Sequence, residues 1–261
     1  MSLTEAVAAA VTKKDTLFRE DLPRYSVRAI LAGAYLTLGT ACAGVAGQAV
    51  NGLAPGLGPI VFSLLFGLGL FSIIILGAEL ATGDMMFFSY GAVQKDVSWG
   101  RAVGVVVVTT VLNLVGAVII AAGMGVSAKL GGMDPQHLIA TLSEGKLAKT
   151  PVQLFVEAMM ANFVVNMGIV GAMFAKELVS KFFVIVPIIA IFVMLGLEHV
   201  IANFSLMSLT FFAGAELPPH MTLGAVLLNW VLVFLGNFVG GGLLIGGVYA
   251  WLNRGPAAYR D

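Results

Sequence analysis

The sequence predicts an all-α integral membrane protein of six transmembrane helices, arranged as a 3+3 inverted repeat whose second and fifth helices are broken. Composition is the first reason, because the 261 residues are 59% hydrophobic and 11% charged, whereas a soluble domain carries about 25% charged residues. The mean hydropathy of +0.98 agrees with this. The second reason is six apolar stretches that each reach the roughly 20 residues needed to cross a bilayer. The third is a polar interruption at matching places in two of them.

Residues 1–24 are predicted to form an amphipathic helix on the cytoplasmic surface of the membrane, because apolar residues recur at roughly helical spacing with charges between them. A merely solvated tail is the alternative. Pro23 marks the start of the membrane domain, which we place at 25–252, and a short cytoplasmic tail follows at 253–261. The apolar positions of the first segment are Leu3, Ala6, Val7, Ala10, Val11, Leu17 and Phe18.

The predicted spans lie near 26–50, 58–93, 101–126, 152–175, 182–212 and 222–252, with the second and fifth interrupted. Of the 14 basic residues, all but Lys129, Lys146 and Lys149 fall on the side of the N-terminus. This positive-inside bias places both termini in the cytoplasm of a multi-pass protein of the cell membrane. Because the formal net charge is zero, no nucleic acid partner is expected.

The interruptions contain carboxylates at matching positions, Glu79 in the first half and Glu198 in the second. The third and sixth spans also resemble each other, since 113–116 reads NLVG and 237–240 reads NFVG. Broken hydrophobic segments in corresponding places of two halves indicate a transport site near the middle of the membrane. Both glutamates are expected to anchor the broken backbone.

His199 is the one histidine of three that lies within a predicted span. A polar group without partners in hydrocarbon costs several kcal/mol, so His199 is expected to face a pore. The alternative is a structural histidine bonded to a neighbouring helix. Asn162 and Asn203 are expected to cap broken helix ends or to orient His199. A lone intramembrane histidine without clustered ligands predicts neither haem, nor a metal, nor another cofactor, and no enzyme activity.

Three motifs resemble the formate/nitrite transporter family of pentameric anion channels. Residues 77–82 (GAELAT) are similar to the family's G-A-[DE]-L-F-T element, 196–203 (GLEHVIAN) to its fifth-span signature, and 237–242 (NFVGGG) to its sixth-span N-x-x-G-G-[GA]. The resemblance covers residues 25–252 approximately. It implies an aquaporin-like fold, one pore per subunit and a homopentamer in the bilayer.

The resemblance also implies roles for individual residues. His199 matches the central pore histidine, Thr82 the threonine of the interrupting loop, and Lys146 the vestibule lysine before Asn162. Ala81 stands where many members have phenylalanine, so a wider inner constriction, or one sealed by the N-terminal helix, is expected. The implied constrictions are Phe66 and Phe192 on the outer side, and Leu70, Leu80, Ala81 and Val165 on the inner side.

The expected function is passage of small monovalent anions of weak acids, such as formate, nitrite, hydrosulfide or hypophosphite. Lys146 would draw the anion in, His199 would assist proton-linked passage, and Thr82, Asn162 and Asn203 would replace lost water. A neutral-solute pore of the aquaglyceroporin type is an alternative, but it requires paired N-P-A elements that the sequence lacks. A membrane-embedded enzyme or redox subunit is another. The choice of anion, and passive versus proton-coupled transport, stay open.

Overall fold

The computed structural model describes residues 2–254, and this part of the chain is helical almost throughout. The C-terminal tail predicted at 253–261 therefore lies mostly outside the described residues. The helices are α1 (Leu3–Glu20), α2 (Leu22–Leu53), α3 (Leu57–Ile75), α4 (Ala81–Gln94), α5 (Trp99–Gly125), α6 (Leu138–Leu147), α7 (Pro151–Phe174), α8 (Leu178–Met194), α9 (Val200–Ala213), α10 (Leu223–Asn237) and, after a π-helical segment (Phe238–Gly247), α11 (Val248–Leu252).

Several of these helices are suited to a membrane. Within the described residues, α2, α3, α5, α7 and the continuous helix Leu223–Leu252 are long and apolar enough to cross a bilayer. The apolar helices α8 and α9 are shorter. The chain is thus an all-helical membrane protein, and its apolar helices coincide with the stretches that the sequence singles out.

Helix α1 packs on the protein itself. A capping box between Ser2 and Glu5 starts it, and its side chains Leu3, Val7 and Val11 are buried. Val11 packs against Gly91 of α4, where a Cβ would come within 2.8 Å of a Val11 methyl group. These three side chains of the apolar face of α1 are thus covered by the protein itself.

The loops that follow α3 and α8 take the same backbone course. After α3 the chain turns at Gly77 (φ +66°), and after α8 it turns at Gly196 (φ +67°). These left-handed values are strained for any residue with a Cβ, which explains both glycines. In each loop the amide after the glycine bonds a carbonyl five residues back, Ala78 to Ile73 at 3.0 Å and Leu197 to Phe192 at 3.1 Å.

Two glycines allow helices to cross in contact. A Cβ on Gly116 of α5 would lie 1.9 Å from the carbonyl oxygen of Ile30 in α2. A Cβ on Gly240 would likewise lie 1.9 Å from the carbonyl oxygen of Met159 in α7. Both positions therefore exclude any side chain, and they bring α5 against α2 and the π-helical segment against α7.

Candidate pore site

His199 begins α9 and contacts Thr82 of α4. Its Nε2 lies 2.9 Å from Thr82 Oγ1, and both side chains are buried. The other ring nitrogen, Nδ1, accepts a 3.2 Å hydrogen bond from the backbone N–H of Ala202 and so caps α9. A nitrogen that accepts carries no proton, so the neutral ring has its proton on Nε2. His199 therefore donates to Thr82, which leaves the Thr82 hydroxyl proton free to donate in turn.

His199 lines a narrow cavity whose other walls are apolar. The volume is about 10 Å³, room for about one water molecule. In the described part of the chain, His199 is the one titratable residue on its wall. The Phe66 and Phe192 rings meet edge-on with centroids 5.8 Å apart. The walls are Leu36, Phe66, Leu70, Leu80, Val165, Ile189 and Phe192.

A larger cavity of about 380 Å³ begins on the other side of the two phenylalanines. Phe66 and Phe192 belong to the walls of both cavities, so their rings separate them. The larger cavity also has Lys146 and Lys149 on its wall. We call it the outer vestibule, after the side of the membrane predicted for these lysines.

The two lysines converge on Glu198. Oε1 of this wholly buried carboxylate lies 3.1 Å from Lys146 Nζ and 2.6 Å from Lys149 Nζ, while Oε2 accepts a 2.6 Å hydrogen bond from Asn203. Lys146 also donates to the Leu197 carbonyl at 3.0 Å. The lysines thus tie the second loop to the connection between α6 and α7. The sequence indicates Lys149 only as one of three lysines on the outer side, and not as a candidate pore residue.

Burial lowers the pKa of Lys146, and the neighbouring Lys149 cation adds to this against the opposing effect of Glu198. For Lys149 burial also acts to lower the pKa, but Glu198 and a second carboxylate, Glu157, outweigh it and raise the value above the ordinary one. Lys149 is therefore the more firmly charged of the two lysines on this wall.

Two asparagines that sequence reasoning noted only as a repeated motif hold the loops. Asn113 Oδ1 accepts from the Ala81 amide at 3.0 Å, and its Nδ2 donates to the Glu79 carbonyl at 2.9 Å. Asn237 Oδ1 accepts from the Val200 amide at 2.8 Å, and its Nδ2 donates to the Glu198 carbonyl at 2.9 Å. Each asparagine fixes the residue between its two partners, Leu80 in one loop and His199 in the other.

Of the remaining candidate residues, Asn162 donates to the backbone carbonyls of Thr82 at 3.2 Å and Asn237 at 2.8 Å. A further asparagine, Asn166, donates to the Thr82 carbonyl at 3.3 Å. Asn203 bonds Glu198 rather than His199. Asn162 and Asn203 are therefore placed to position other pore groups, since neither belongs to the walls of the two cavities described above.

Ala81 also sits away from both cavities. It is fully buried, and its amide is the one bound to Asn113. The neighbouring residue Leu80 contributes its side chain to the narrow cavity, and the constriction width expected from Ala81 stays a prediction.

A second charged cluster lies at the N-terminal turn of α4 and the loop before it. Lys14 of α1 makes ion pairs with Glu79 and, at 2.8 Å, with the wholly buried Asp84. The Tyr25 hydroxyl donates to Asp84 at 3.0 Å. Burial acts to lower the pKa of Lys14, but Asp84 and Glu79 outweigh it and raise the pKa above its ordinary value. Lys14 thus stays charged and fastens α1 to the first loop.

Comparisons with known proteins agree with this architecture. The sequence profile described as "Formate/nitrite transporter" matches residues 1–251. A "Probable formate transporter" of Methanothermobacter thermautotrophicus is 31% identical over 246 residues, covering 87% of this chain and 88% of that protein. The "Nitrite transporter NirC" of Escherichia coli (strain K12) is 31% identical over 222 residues, covering 84% and 80%.

Two solved structures are similar as well. An "FNT family ion channel" superposes with a TM-score of 0.87 at 28% identity, covering 95% of this chain and 98% of that one. A "Pentameric formate channel with formate bound" gives a TM-score of 0.72 at 24% identity, covering 88% and 96%, and supports the fold. With the profile match over nearly the whole sequence, the chain belongs to the formate/nitrite transporter family.

Proposed function

We propose that this protein passes small monovalent anions of weak acids, formate or nitrite above all, across the cell membrane. The observation that carries the proposal is the narrow cavity with apolar walls, in which His199 is the titratable group among the described wall residues. Relatives named for formate and for nitrite are equally similar, at 31% identity, so identity does not choose between the two anions. Membership of a transporter family supports transport as the function.

The proposed path begins in the outer vestibule, where Lys146 and Lys149 attract the anion. Beyond Phe66 and Phe192 the anion must lose most of its water, and burying a bare charge there is very costly. The Nε2–H of His199, which bonds Thr82 in the structure, turns to the anion. A proton taken up from the vestibule solution, shared between the anion and His199 and released with the anion on the other side, then lets the anion pass close to neutral. Asn162 contributes by holding Thr82, and Asn203 by holding Glu198.

We also propose that the membrane domain is a 3+3 inverted repeat in which α3–α4 and α8–α9 are broken spans. The matched bonds of Asn113 and Asn237 support this, as do the matched turns at Gly77 and Gly196. Related halves would present Leu80 and His199 at equivalent places, each one residue after a loop glutamate. The pore would then have one titratable centre.

The proposed assembly is a homopentamer in the bilayer with both termini in the cytoplasm. Its support is the pentameric formate channel of similar fold, the bias in basic residues, and many exposed apolar side chains on the helices, such as Val107, Leu228 and Val231. The amphipathic helix α1 would then lie on the cytoplasmic side.

A flux panel tests the function. Purified protein in liposomes is assayed for formate, nitrite, hydrosulfide and hypophosphite uptake at about pH 5 and about pH 8, with glycerol and water permeation alongside. The proposal expects passage of at least one of these anions and none of the neutral solutes. Glycerol or water flux without anion flux would instead identify a neutral-solute pore.

A further inference from the structure

Four charged side chains meet at the outer vestibule. Lys146 and Lys149 both contact Oε1 of Glu198, and one carboxylate balances only one of two ammonium groups. The second carboxylate is Glu157 on α7, which makes an ion pair with Lys149. Two lysines and two glutamates therefore form a cluster with a net charge of zero.

The two glutamates differ in how easily an incoming anion could replace them at a lysine. Glu198 is wholly inaccessible and its other oxygen is held by Asn203, so its ion pairs cannot open without disturbing the loop. Glu157 is 23% exposed and Lys149 is 21% exposed. Lys149 lies on the vestibule wall, whereas Glu157 is absent from the residues that form this wall. Glu157 thus holds Lys149 from behind.

Resting on the proposed anion function, we propose that Glu157 is a specificity-determining residue of the outer vestibule. Its carboxylate occupies Lys149 until an anion arrives from the vestibule and replaces it. A monovalent anion replaces the single negative charge of Glu157 at Lys149. The Glu157 carboxylate can therefore return and release the anion without a change in the net charge of the cluster. With Glu157 present, the cluster offers no surplus positive charge to retain a divalent anion.

The bonds around Lys149 are consistent with such an exchange. Besides the two glutamates, Lys149 donates to the Gly196 carbonyl at 2.7 Å. If the Glu157 carboxylate leaves, Glu198 and Gly196 still hold the ammonium at the vestibule wall. Lys149 therefore keeps its place at the vestibule wall while the carboxylate of Glu157 is exchanged for the anion.

The test compares Glu157→Gln with wild type in liposomes at low, constant ionic strength, measuring the half-saturating concentration of formate and the inhibition by sulfate. Freeing one lysine charge should lower the half-saturating concentration about two- to fivefold and make sulfate a clearly stronger inhibitor. Both effects should shrink in high salt, which screens exposed charges. Glu157→Asp, which keeps the charge, should stay near wild type.

Two further variants complete the design. Glu144→Gln removes another carboxylate, which is paired with His220 and is not part of the vestibule wall, so it should change neither quantity. Lys149→Gln combined with Glu157→Gln restores neutrality and should return sulfate inhibition to the wild-type level. Unchanged formate and sulfate behaviour in an assembled, active Glu157→Gln protein would overturn the proposal.

A binding measurement separates this inference from the proposed function. Binding of formate to the detergent-solubilised protein is detected as broadening of the formate carbon-13 resonance. If wild type carries no anion flux, the proposed function fails. Tighter formate and sulfate binding to Glu157→Gln than to wild type would still support the role of Glu157, and equal binding would overturn it.

Discussion

Asn113 and Asn237 make the same three kinds of hydrogen bond at two different loops, the one that follows α3 and the one that follows α8. Each side-chain oxygen accepts from the first amide of a short helix, and each amide nitrogen donates to a loop carbonyl and to a carbonyl of a neighbouring long helix, Ala29 in one case and Ala158 in the other. Both asparagines are wholly buried. At each of the two loops, one side chain thereby satisfies a loop carbonyl and the first amide of the next helix, which have no partner within a helix.

Replacing Asn237 by Ala should therefore destabilise the protein strongly. The Val200 amide and the Glu198 carbonyl would lose their partner in a buried place, and each such loss costs about 1–3 kcal/mol. Asn113→Ala should behave alike. Thermal unfolding in detergent measures the effect, with Asn51→Ala as the control because Asn51 bonds two amides of an exposed turn. Equal melting temperatures for the three variants would contradict the account of the breaks.

Lys14→Met should release α1 from the first loop. The change leaves Glu79 and the buried Asp84 without their cation, and removing one member of a buried ion pair costs about 3–5 kcal/mol, less here because Lys14 is 15% exposed. Hydrogen exchange of α1 should accelerate. Adding Asp84→Asn to Lys14→Met should recover part of the loss. Unchanged exchange in the single variant would show that the ion pairs do not fasten α1.

The pH dependence of this attachment has a definite sign. The pKa of Lys14 is raised in the folded protein, because Asp84 and Glu79 outweigh burial. The contribution of the lysine is therefore complete below its ordinary pKa of about 10.4 and is lost only as pH rises through the raised value. Hydrogen exchange of α1, corrected for the intrinsic rate, should stay constant between about pH 7 and about pH 9. Progressive release over that range would contradict the assignment.

Thr82→Val should lower anion flux, while Thr82→Ser should preserve most of it. Valine keeps the shape of threonine but has no hydroxyl to donate to the anion in place of lost water, so flux should fall about tenfold for a loss of about 1.4 kcal/mol. Liposome flux at one fixed pH checks this. Equal flux through the valine and serine variants would show that the Thr82 hydroxyl has no role in anion passage.

Much of the helix layout follows from the sequence, because hydropathy alone marks where long apolar helices begin and end. The charged residues Glu79 and Glu198 mark the two interruptions in the same way. Partners far apart in sequence could not be predicted so well. The sequence places Lys14 on an amphipathic helix but does not indicate that it pairs with Asp84, 70 residues away. The ion pair of Lys149 with Glu157 joins residues only eight apart, but Lys149 precedes α7 and Glu157 lies within it, so helical spacing does not predict the pair.

The measurement that most directly tests the central claim is formate flux through wild type and His199→Asn between about pH 5 and about pH 8. Asparagine is a good N-cap and can still donate a hydrogen bond, but it does not titrate. The account predicts that the variant assembles, that its flux is lower, and that its pH dependence differs from that of wild type. Wild-type flux with an unchanged pH profile in His199→Asn would contradict a proton-sharing role for His199.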